Sequence, residues 1–141
     1  MRQIWENNVK ALVHTVAVFG FALVITVARA ESIDNQVTTR SGRLATLDFF
    51  YSVNPNCSSR GEPRVQVTSY PENGGFFAAV RDRHPKFPRG SNLHKCNARL
   101  VPSTELYYRS NRRYVGDDSL SVEVTYPDGD QTNVNYNITV K

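Results

Sequence analysis

The sequence predicts an all-β protein, an antiparallel sandwich of about seven strands, and three observations carry that reading. From Ser119 to Tyr126 residues alternate strictly, with Leu120, Val122, Val124 and Tyr126 on one face and Ser119, Ser121, Glu123 and Thr125 on the other. Thr132 to Val140 repeats the pattern, setting Val134, Tyr136, Ile138 and Val140 inward and Asn133, Asn135, Asn137 and Thr139 toward water. After residue 30, no stretch holds an apolar stripe of 3.6-residue period, which argues against a helical bundle or an alternating α/β chain. Strands with one apolar face each remove that face from water by opposing two sheets.

The first thirty residues stand apart. Met1 to Lys10 is polar and carries Arg2 and Lys10 against Glu6, and Ala11 to Ala28 is an apolar run broken only by His14, Thr15, Gly20 and Thr26. Ala28-Arg29-Ala30 then supplies a small-x-small site, so residues 1–30 read as a secretory signal peptide cut after Ala30. Residues 31–141 remain as one domain of about 110 residues, and the expected location is periplasmic or secreted. Contact with a membrane is expected only if the apolar run stays uncleaved, since its length is near the lower limit for a span.

Export fixes the reading of Cys57 and Cys96, because paired thiols oxidise outside the cytosol. Their spacing is not C-x-x-C, so a structural disulfide is expected rather than a redox pair. The strands before the final hairpin read as Leu44 to Val53, Arg64 to Tyr70, Gly75 to Asp82 and Thr104 to Ser110. Asn54-Pro55-Asn56, the run from Pro71 to Gly75, and Pro102-Ser103 punctuate them as turns. Pro127-Asp128-Gly129-Asp130 closes the last two strands into a hairpin.

The run from Tyr108 to Val124 places Tyr114, Gly116, Asp118 and Ser119 in the order aromatic, then Gly-x-Asp-Ser, then an alternating strand, with a Gly129 turn and a last valine-rich strand beyond. Over about forty residues, Thr104 to Lys141, this resembles the closing half of bacterial cadherin-like or immunoglobulin-like extracellular repeats. The resemblance implies an immunoglobulin-like sandwich and says almost nothing of function. Arg112 and Arg113 stand where such repeats carry small or turn residues, and the Asp-rich linkers that bind calcium between tandem copies are missing. Gly116, Asp118 and Ser119 are therefore a structural turn, in which the Asp118 carboxylate accepts backbone N–H groups.

No catalytic constellation emerges. Beyond the leader only His84 and His94 remain, ten residues apart in a segment that holds Pro85 and Pro88, with no nucleophile elbow and no metal-ligand spacing. An enzyme using His84 or His94 is the weakest reading, and neither cofactor nor metal is expected. Seventeen Lys and Arg against thirteen Asp and Glu give a formal +4. That charge is uneven: nine basic residues face two acidic ones from Arg81 to Arg113, whereas five acidic residues face one basic residue from Tyr114 onward. Arg81, Arg83, Lys86, Arg89, Arg112 and Arg113 form the candidate anion-contacting set, provided the loop from His84 to Asn97 folds beside the Arg112 turn. The expected function is an exported, non-enzymatic binding or structural module of the periplasm or envelope. Its partner is an envelope protein or, in a sharper reading, an anionic polysaccharide or other envelope polymer, with no nucleic acid expected.

Overall fold

A computed structural model describes residues Ser32 to Lys141; the expected signal peptide lies outside the described residues. Seven strands follow one another: β1 (Ser32–Thr39), β2 (Leu44–Phe50), β3 (Arg64–Ser69), β4 (Gly74–Arg83), β5 (Val101–Ser110), β6 (Gly116–Thr125) and β7 (Gln131–Val140). They form a four-stranded sheet in the order β1-β7-β6-β3 and a three-stranded sheet in the order β2-β5-β4. The split of β2-β5-β4 from β3-β6-β7 is the sheet division of an immunoglobulin-like sandwich, with β1 added to the second sheet parallel to β7.

The alternation does what a half-buried strand requires. Leu120, Val122 and Val124 from β6 and Val134, Tyr136, Ile138 and Val140 from β7 lie buried against Leu106 and Tyr108 of β5. Each such side chain contributes about 2 kcal/mol by leaving water. The β6–β7 hairpin forms in the expected register, Leu120 beside Tyr136 and Val122 beside Val134.

Three expectations need correction. β1 was not foreseen; its sequence, SIDNQVTT, has little apolar patterning because it is an edge strand held by backbone pairing to β7. β2 ends at Phe50, and Val53 makes only an isolated bridge to Ser59. Pro102-Ser103, read as a turn, lies within β5, opposite Arg81 and Asp82. Strand β2 reaches β5 only as far as Thr104, so at Pro102 one side of β5 has no neighbouring strand and a missing N–H is tolerated.

The sandwich has two unlike ends. At one lie the β2–β3, β4–β5 and β6–β7 connections; at the other lie the turns joining β1 to β2, β3 to β4 and β5 to β6. Between them β4 and β5 run antiparallel for ten residues each, from Gly74 beside Ser110 to Arg83 beside Val101, about 30 Å.

Candidate anion-binding groove

At the loop end Cys57 and Cys96 form the expected disulfide, with Cα atoms 5.1 Å apart. A satellite core surrounds it: Val53, Cys96 and Val101 are buried, with Tyr51, Phe87 and Leu93 packed against them. Three of the cations here are engaged, whereas Arg64, Arg81, Arg89, Lys95 and Arg99 have no ion-pair partner among the described residues. Arg60 pairs with Asp128 at 2.9 Å. Lys86 Nζ sits 4.9 Å from the Phe49 ring centroid. Arg83 forks onto Glu105, whose side chain is 1% exposed. Burial pushes the Glu105 carboxyl up, but the bonds from Arg83, Tyr107 and Thr46 outweigh it and leave the group below its ordinary range.

At the turn end the backbone is tied and the cations are not. Gly42 N donates to Ser110 Oγ at 2.9 Å, and a Cβ at Gly42 would touch Arg112, so the β1–β2 turn rests on the β5–β6 turn. Ser41 N donates to the Lys141 carbonyl and Asn111 N to the Asn73 carbonyl. These links gather Arg40, Arg43, Arg109, Arg112 and Arg113 at one end, and none has an ion-pair partner among the described residues. Arg113 adopts a positive φ of 65°, a conformation that costs a non-glycine residue about 1 kcal/mol.

The Gly-x-Asp-Ser segment underlies this end. Gly116, at φ 140°, sits where a Cβ would approach the Tyr114 hydroxyl to 3.0 Å. The Asp118 carboxylate accepts from Ser119 N at 2.9 Å, Glu72 N at 3.0 Å, Asn73 N at 3.1 Å and the Tyr108 hydroxyl at 2.7 Å. Gly116, Asp118 and Ser119, expected as a turn, are instead the opening residues of strand β6, paired to β7; two of the donors belong to the β3–β4 turn, so Asp118 ties the start of β6 to that turn. Burial, then the Asp118 carboxylate, push the Tyr108 phenol far above its ordinary range.

Strand parity sets what the three-stranded sheet shows to solvent. Leu106 and Tyr108 point inward, so Tyr107 and Arg109 point outward, and their β4 partners Phe77 and Gly75 share that face. Phe77 is 46% exposed and stacks on Tyr107, with ring centroids 4.8 Å apart and planes at 15°. Where this face meets the turn end lies an open groove of about 570 Å³, lined by Gly75, Phe76, Phe77, Arg109, Ser110, Asn111 and Arg112. Nothing stands within 4 Å of where a Gly75 Cβ would be, so the groove is open beside the Phe77 ring. A second hollow, of about 600 Å³, is lined by Gln36, Glu72, Asp117 and Asp118 among others; its carboxylates disfavour an anion.

Of the six basic residues singled out in the sequence, the structure gathers two. Arg112 and Arg113 are at the turn end, whereas Arg81 and Arg83, on β4, and Lys86 and Arg89, in the β4–β5 connection, belong to the loop-end half. The β4–β5 ladder holds the His84 loop a strand's length away from the Arg112 turn, which is the physical reason the set divides. The groove itself adds Arg109, Gly75 and Phe77 to Arg112, while Arg40, Arg43 and Arg113 sit at the same end outside its lining. His84 Nδ1 lies 3.1 Å from the Arg99 carbonyl, and His94 opens a short 3-10 turn (His94–Ala98). Among the described residues no cluster of His, Cys, Asp or Glu is placed to hold a metal ion, and no helix is long and apolar enough to cross a membrane.

No family model matches the chain. No curated protein matches it in sequence. Among solved structures, that of amebosin in solution overlays with a TM-score of 0.40 at 12% identity, covering 80% of this chain and 99% of amebosin. PbICP-C, solved in complex with falcipain-2, overlays with a TM-score of 0.37 at 7% identity, covering 80% of this chain and 92% of its own. At this degree of overlap neither protein's partner bears on this chain.

Proposed function

We propose that the chain is an exported, non-enzymatic binding module that holds an anionic polysaccharide in the groove between Phe77 and the Arg109–Arg112 end. One observation carries this: an exposed aromatic ring borders the same open groove as two guanidinium groups free of carboxylates. A sugar ring lies flat on an aromatic face, and a carboxylate or sulfate on that sugar meets Arg109 and Arg112 in charge-assisted bonds. The disulfide fits a location outside the cytosol.

The test is titration of the purified protein with heparin and with polygalacturonate, using neutral dextran as the control, at several salt concentrations. The double variant Arg109→Ala/Arg112→Ala should weaken binding to an acidic polymer at least about tenfold, equivalent to about 1.4 kcal/mol, with little change in Tm. Gly75→Val, which places a branched side chain in the groove, should weaken binding as strongly. Equal affinity for dextran, or binding that survives both changes, overturns the reading.

A further inference from the structure

Every sheet edge is a row of unpaired backbone groups, and proteins interrupt such rows to prevent chance pairing. Three of the four edges here are interrupted or polar. The register of β2 shifts between Thr46 and Asp48, and β3 is six residues long with a shift between Val67 and Ser69. β1 is polar and carries Asp34. β4 is different: it is ten residues long, pairs with β5 without a register shift, contains no proline or lysine, and confines its charges, Arg81, Asp82 and Arg83, to its last three residues. From Gly74 to Val80 it reads GGFFAAV, without a charge. Its inward-facing Val80 is nonetheless 53% exposed, because the opposite sheet does not cover the strand there.

We infer that β4 pairs antiparallel with β4 of a second copy of this chain, about a two-fold axis at Ala78, joining two three-stranded sheets into one of six strands. In this register the strand is complementary to itself. Inward residues must oppose inward ones, so only pairings of equal parity continue the sheet. Centred on Ala78, the pairing places Phe76 opposite Val80, Phe77 opposite Ala79, Gly75 opposite Arg81 and Gly74 opposite Asp82. On the outer face each large side chain meets a small one, no like charges face each other, and Val80 gains the aromatic neighbour its own fold withholds. Of the neighbouring axes, Ala79 sets the Asp82 carboxylate opposite inward-facing Phe76, Phe77 stacks Phe77 on itself and shortens the ladder to Gly74–Val80, and Val80 stacks Val80 on itself.

The pairing also bears on the groove, and this consequence rests on the proposed function. Arg81 of the second copy comes opposite Gly75, where a Cβ has no neighbour, and adds a third guanidinium to Arg109 and Arg112. Each copy completes the other's site, giving two equivalent grooves on one continuous face.

The experiment is sedimentation equilibrium of the purified protein over micromolar to hundred-micromolar concentrations, beside oxidative crosslinking of Ala78→Cys, whose two thiols would lie directly opposite. A dimer is expected that weakens at least tenfold in Val80→Lys, an exposed edge position where a lysine is accommodated without unfolding. Ala78→Cys should give a covalent dimer, while Thr68→Cys on the edge strand β3 stays monomeric. A monomer throughout, with no more crosslinking at residue 78 than at 68, overturns the inference and leaves groove binding by single copies standing. A dimer that fails to bind heparin or polygalacturonate overturns the proposed function instead. If both hold, Arg81→Ala should weaken heparin binding in the dimer and have no effect in the Val80→Lys background.

Discussion

The two ends of the sandwich are ordered by different means. At the loop end, long connections have little regular pairing, so a crosslink, a satellite core and the engaged side chains of Arg60, Arg83 and Lys86 give them order. At the turn end, backbone hydrogen bonds and the Asp118 carboxylate supply order, and Arg40, Arg43, Arg109, Arg112 and Arg113 have no ion-pair partner among the described residues. Positive charge in a sequence therefore does not by itself mark a binding surface: Arg60, Arg83 and Lys86 serve the fold, and Arg109 and Arg112 are set apart by the open groove they share with Phe77.

The largest effect should come from removing the crosslink. Cys57 and Cys96 are 39 residues apart, and closing that loop stabilises the fold by about 4 kcal/mol in the chain-entropy account. Reduction should lower Tm by more than about 15 °C, measured by circular dichroism. If the ends are independent, reduced protein still folded at low temperature binds heparin as before; loss of binding there would show that the loop end contributes to the groove.

At the other end, Asp118→Ala removes the acceptor of four hydrogen bonds and strands the Tyr108 hydroxyl in the core. The expected loss is about 3 kcal/mol in urea unfolding. A loss much smaller than that of the disulfide would break the symmetry drawn here between a covalent and a hydrogen-bonded clasp.

Adjacent glycines sharpen the distinction between supporting and contacting surfaces. A Cβ on Gly74 would lie 2.5 Å from Tyr108 Cε2 and 2.7 Å from the Arg109 carbonyl, so Gly74→Ala should cost about 1–3 kcal/mol. Gly75→Ala meets open space and should leave Tm unchanged or slightly raised. Equal thermal melts for the two variants would contradict the inward and outward assignment of β4.

The smallest effect concerns pH. Asp48 lies on β2 toward Tyr136 and Tyr126, and burial pushes its carboxyl above the ordinary range despite the bond from Phe49 N and the charge of Lys86. A raised native pKa means the protonated form favours folding. Its stabilisation is complete below the unfolded value, near pH 3.9, and is lost as pH rises through the native one. Asp48→Asn should thus raise Tm at pH 7 and converge with the parent toward pH 4. A difference independent of pH would place this carboxyl in water.

Much of this was legible in the residues. β6 and β7 announce themselves because one face is core and the other water, so Leu120 to Val124 and Val134 to Val140 alternate in sequence as they do in space. β1 does not, since pairing to β7 asks for backbone groups rather than apolar side chains. The disulfide followed from two cysteines and the expectation of export. The groove could not be read: Phe77 meets Tyr107 only through the β4–β5 register, and Arg112 meets the Gly42 turn only through the tertiary fold, so proximity in sequence grouped Arg112 with Arg89 instead. Gly75 was visible as a turn residue, but its role as empty space is defined by what surrounds it.

The Asp118 clasp also has a temporal consequence. Turn amides at a sheet's end ordinarily trade hydrogen for deuterium within seconds, yet those of Glu72 and Asn73 point into a carboxylate that also grips a core phenol. They should stay protiated nearly as long as the strands, and the start of β4 should be among the last parts of the surface to open.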